Sequence, residues 1–65
     1  MLLNKNALDL IRARECLTLD ELTKRANVSK ATICQGYKKD IGVIPIGKLA
    51  RALDVDVEEI IIMED

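Results

Sequence analysis

The chain contains no histidine, tryptophan or phenylalanine, and Tyr37 is its only aromatic residue. Its interior must therefore be assembled from Leu, Ile, Val and Ala. Lack of histidine removes the side chain that titrates near neutral pH and the commonest nitrogen ligand for a metal. Two cysteines, Cys16 and Cys34, are too few for a disulfide framework or a zinc site, and both are expected as reduced thiols in a cytoplasmic protein. No Gly-rich phosphate loop is present, no paired acid set in a pocket, and no nucleophile with an adjacent base. Neither an enzymatic activity nor a cofactor is expected. No apolar run approaches the roughly 18 residues of a membrane span. Met1-Leu2-Leu3-Asn4-Lys5 lacks the long apolar region of a secretory signal.

What remains is 65 residues, enough for one domain. A domain of this size buries only about 60% of the surface its unfolded chain exposes, so its stability margin is thin. The formal net charge of −1 conceals a segregation. Residues 1–53 carry ten Lys/Arg against five Asp/Glu, a net of +5, whereas residues 54–65 carry six acids and no base, a net of −6. Such asymmetry fits a nucleic-acid surface with an acidic tail, and equally a solubilising tail on a helical domain.

Periodicity and capping residues divide the chain into five short helices. The first is expected from about Asn6 to Glu15, with Ala7, Leu10, Ile11 and Arg14 along its stripe. Thr18-Leu19-Asp20-Glu21 has the form of a capping box, and Leu17 with Leu22 has staple spacing. Leu19, Leu22 and Ala26 supply the apolar face of this second helix. Asn27, which tolerates a left-handed conformation, ends it. Ser29 caps a third helix running to Tyr37 or Lys38, with Val28 and Ile33 repeating the staple. Residues 38–44 read as a loop. Pro45 suits the first turn of a fourth helix, whose buried face is Ile46, Leu49, Ala50 and Leu53 and whose end is Asp54. Asp56 and Glu59 form a second box opening a fifth helix, with Val55 and Ile60 as its staple. Cys16 is expected to pack beside Leu17.

The helices at 18–26 and 29–38 are separated only by Asn27 and Val28, so they must cross steeply. The second then turns Ser29, Lys30, Ala31, Cys34, Gln35 and Lys38 outward and Val28, Thr32 and Ile33 inward. The outward face carries no acid. Lys30, Lys38 and Lys39 suit phosphates. Gln35 offers a bidentate amide to adenine. Ser29 and the N–H groups of the helix start suit a phosphate oxygen. Ala31 permits close approach and contact with a thymine methyl. Cys34 on this face reads as an inert thiol more readily than as a redox switch.

The segment Leu17-Thr18-Leu19-Asp20-Glu21-Leu22-Thr23-Lys24-Arg25-Ala26-Asn27-Val28-Ser29-Lys30-Ala31-Thr32-Ile33 resembles the helix-turn-helix of the phage Cro/repressor type, the XRE family. Lys48-Leu49-Ala50-Arg51-Ala52-Leu53-Asp54-Val55-Asp56-Val57-Glu58-Glu59-Ile60 resembles that family's last two helices. The resemblance implies an all-α, five-helix bundle of the phage-repressor type. It also implies sequence-specific binding to double-stranded DNA, usually as a homodimer acting as a repressor. Several residues depart from the family pattern. Leu19 stands where Gln is frequent, Thr23 where Ala is usual and Asn27 where Gly is common. Gly36 occupies the place of a large apolar residue and Tyr37 that of an acid. Gly36 is expected to weaken the third helix and leave a packing gap, with Tyr37 turning inward to fill it.

Residues Ile60 to Met63 are apolar all round, more than one helix face requires. Ile61, Ile62 and Met63 are expected to form a homodimer contact, and Glu64-Asp65 to remain solvated. The alternative is a protein-binding module on the same fold, an antitoxin or anti-repressor holding its partner through this C-terminal helix.

Overall fold

Asn4, Thr18 and Ser29 each have extended backbone and a side-chain oxygen that accepts the N–H three residues on, so each opens a helix. The computed structural model describes residues 1–63. Its helices are α1 (Lys5–Glu15), α2 (Leu19–Ala26), α3 (Lys30–Gly36) and α4 (Val43–Leu53), followed by a single 3-10 turn at Val57–Glu59. Three helices end on left-handed residues, Cys16, Asn27 and Asp54, each with φ of 55°. Helix α4 starts at Val43, earlier than the end of the expected loop, and Pro45 sits in its first turn as anticipated. No helix among the described residues is long and apolar enough to cross a membrane.

The core is aliphatic. Leu3, Leu8, Leu22, Ile33, Ile46, Leu49 and Ile60 are fully buried. Helix α4 presents Ile46, Leu49, Ala50 and Leu53 to this core, as its spacing required. Helix α1 follows the expected stripe only in part, at Ile11 and half-buried Ala7. It buries Leu8 and Ile11, while Leu10 is 72% exposed and Arg14 is exposed. The opposite choice would have drawn Arg14 toward the core along with Leu10. Arg12, which borders the buried side, is partnered instead: Nη2 donates to Asp9 at 3.0 Å and Nη1 to the Leu17 carbonyl at 3.2 Å. Cys16 is exposed rather than packed beside Leu17, because it is the left-handed cap of α1 and donates its N–H to the last turn.

Among the described residues the fifth helix does not form, and there are four α-helices. Glu59 does reach back to the Asp56 N–H at 2.9 Å, but the winding stops after one 3-10 turn. The next backbone groups are committed elsewhere. The Asn4 N–H donates to the Ile60 carbonyl at 2.8 Å and the Ile62 N–H to the Leu2 carbonyl at 2.9 Å, around an antiparallel bridge between Leu3 and Ile61. A backbone group bonded to segment 2–4 is unavailable for an i→i−4 ladder.

The same N-terminal segment explains Gly36. The Leu3 N–H donates to the Gly36 carbonyl at 2.7 Å, satisfying one of the carbonyls that a helix end leaves free. A Cβ on Gly36 would lie 2.8 Å from Leu3 Cδ1 and 3.0 Å from Ile41 Cδ1. There is no gap at Gly36 for Tyr37 to fill, because Leu3 and Ile41 occupy the space. Beyond it, Met1 and Ile41 exchange backbone hydrogen bonds of 2.9 and 3.0 Å.

Gly36→Ala should therefore destabilise by about 1–3 kcal/mol, the usual cost of overpacking. The penalty should shrink in a Leu3→Val background, which withdraws the crowding methyl. Urea denaturation of the four proteins measures this. Stabilisation by Gly36→Ala, as at an open helical glycine, would contradict the packing described.

Candidate nucleic-acid interface

Helix α2 and the turn that follows it are held by local bonds. Thr18 Oγ1 accepts the Glu21 N–H at 3.1 Å and Glu21 Oε1 accepts the Thr18 N–H at 2.9 Å, so the expected capping box is present. The Thr18 N–H foremost, with the Thr18 hydroxyl beside it, holds the Glu21 carboxyl below the ordinary carboxylate range. At the other end of α2, left-handed Asn27 redirects the chain and its N–H donates to the Thr23 carbonyl. Extended Ser29 then starts α3. Leu22, Ala26, Val28 and Ile33 are buried on both sides of the turn, which anchors the crossing. Thr23 hides its hydroxyl by donating to the Asp20 carbonyl at 2.6 Å, so it adds no unpaired polar group.

Lys30, Ala31, Cys34 and Gln35 are all exposed on α3, as the sequence suggested. Ser29 is exposed too, but its oxygen is engaged: it accepts the Thr32 N–H at 3.1 Å and lies 2.8 Å from the Thr32 hydroxyl. Lys38 and Lys39 are exposed beside the helix rather than on it. Helix α3 ends at Gly36, and the N–H groups of Lys38 and Lys39 both turn back to the Gln35 carbonyl at 3.0 and 2.9 Å. Lys30 approaches Asp20 at 3.7 Å, with both side chains well exposed. Such a pair contributes about 0–1 kcal/mol and yields readily to another anion.

Sequence reasoning missed Lys24. With Asn27 and Lys30 it lines a shallow depression at the α2–α3 junction. Lys24 lies at the far end of the preceding helix, and only the steep crossing brings it beside Lys30. Tyr37 is half-buried against the core, and its burial pushes the phenol pKa up. The Lys5 ammonium stands 5.9 Å from its ring centroid.

At the opposite end of the chain, Ile61 is half-buried by its bridge to Leu3, while Ile62 and Met63 are 47% and 64% exposed. Glu64 and Asp65, expected to remain solvated, lie outside the described residues.

No family model matches the chain, and no curated protein or solved structure matches it significantly.

Because the folded-state pKa of Glu21 is lowered, its contribution is present above the ordinary carboxylate range and is lost as pH falls through the lowered value. Glu21→Gln keeps an acceptor for the Thr18 N–H but cannot ionise. The wild type should be the more stable protein at neutral pH, and the two should converge in acid. Thermal melts across pH check this, and a difference that persists in acid would refute it.

Proposed function

We propose that this chain is a sequence-specific DNA-binding transcriptional regulator of the Cro/repressor helix-turn-helix type. It acts in the cytoplasm as a homodimeric repressor and places α3 in the major groove. The observation that carries this reading is the exposed side of α3. It is free of acids, it is joined to α2 by a turn of three residues, and Lys24, Lys30, Lys38 and Lys39 surround it. At 1.5 Å per residue, the seven residues of α3 span about 10 Å. That length suits a groove about 12 Å wide.

Each exposed residue then has a role. Gln35 presents its amide to adenine N6 and N7. Lys30 reaches guanine or a phosphate once released from Asp20. Ala31 and Cys34 are small enough for the backbone to approach the base edges. Lys38 and Lys39, lying past the helix end, hold phosphates at the groove rim, and Ser29 marks the register of the helix start. Exposed Ile62 and Met63 serve the dimer, since two-fold proteins match palindromic sites. The alternative, a protein-binding module gripping its partner through a C-terminal helix, loses that helix to the bonds between segments 2–4 and 60–62.

The test is the salt dependence of duplex binding. Lys30→Ala and Lys38→Ala should each reduce the slope of log K against log salt by about one. Arg14→Ala, which alters a groove shared with Leu10 and Glu59, should leave it unchanged. Fluorescence anisotropy at several salt concentrations reads the slopes, and equal slopes for all four proteins would remove α3 from the DNA.

A further inference from the structure

A second feature lies between α2 and α4. A cleft of about 700 Å³ is lined by Arg25, Val43, Ile44, Gly47, Lys48 and Arg51, together with two alanines. It presents three cations and no acid. None of the three has an ion-pair partner among the described residues. Val43 and Ile44 are 64% and 66% exposed, beside the open surface of Gly47. Apolar side chains framed by unpaired cations fit a strand of chain that is itself apolar and acidic.

The chain contains such a stretch. Residues 54–63 include exposed Asp54, Asp56, Glu58 and Glu59, no base, and exposed Ile62 and Met63. In its own chain this stretch is bonded to residues 2–4, and none of it lines the cleft. We propose that the cleft receives the exposed side chains of residues 54–63 of a second copy, the two copies exchanging these contacts about a two-fold axis. A phosphate backbone would also be drawn to Arg25, Lys48 and Arg51, but it has no use for Val43 and Ile44. A net charge of −1 offers no repulsion between copies. The reciprocal contact closes a dimer instead of propagating a filament. This inference rests on the homodimer of the proposed function and names the surface that makes it.

Sedimentation of the 65-residue chain tests it, using two variants with altered charge at exposed positions. Lys48→Glu/Arg51→Glu alters the cleft, and Glu58→Lys/Met63→Lys alters the docked stretch. Circular dichroism confirms that both fold. The wild type should dimerise, more weakly as salt rises. Each variant alone should lose at least about tenfold in dimer affinity, roughly 1.4 kcal/mol. An equimolar mixture of the two should recover a one-to-one heterodimer.

A wild type that stays monomeric up to about 1 mM would remove the homodimer and the cleft assignment together. A dimer that the cleft variant leaves intact would remove the cleft alone. If that variant keeps the dimer but flattens the salt slope on duplex DNA, the cleft belongs to the DNA surface and the proposal is overturned. The α3 reading stands or falls separately, on Lys30 and Lys38.

Discussion

The contact between the Leu3 side chain and Gly36 is the one on which the arrangement of the other elements depends. Leu3 is buried, its N–H caps the end of α3, and its neighbours Leu2 and Asn4 bond to Ile62 and Ile60. Met1 bonds to Ile41, just before α4 begins. Four residues thus tie together the end of α3, the entry to α4 and the C-terminal segment. Only a glycine at position 36 lets the N-terminal segment lie this close. In a chain of 65 residues with an aliphatic core, so few contacts carry a large share of the cohesion.

That constraint bears on function through α3. The helix is short because its last carbonyls are met by the N-terminal segment and by the turn at Lys38 and Lys39. It presents Lys30, Ala31, Cys34 and Gln35 on firm footing, since Val28 and Ile33 are buried beneath them. The charge asymmetry of the sequence becomes spatial in the fold. Cations surround α3 and line the α2–α4 cleft, while acids gather on the stretch after α4. In the proposed account one basic surface meets DNA and the other meets the acidic stretch of a second copy.

Features written in local sequence were legible. The capping box at Thr18 and Glu21, the Ser29 cap, the left-handed Asn27 and the buried face of α4 depend on residues within a few positions of one another. The exposed residues of α3 were legible for the same reason. Features set by distant segments were not. Gly36 read as a defect because the residue that fills its space, Leu3, is 33 positions away. Residues 60–63 read as helix because their pairing with residues 2–4 spans almost the whole chain. Leu8 and Leu10 were equally apolar, and only the packed core distinguishes them. Lys24 and the cleft cations needed the helix crossings before they could be seen as neighbours.

The measurement that bears most directly on the central claim is selection from random duplex DNA by the purified protein, followed by sequencing of what it retains. The account predicts enrichment of a palindromic site whose half-sites lie about one helical turn apart, 34–36 Å. Absence of enrichment at low salt, where phosphate contacts are strongest, would contradict it.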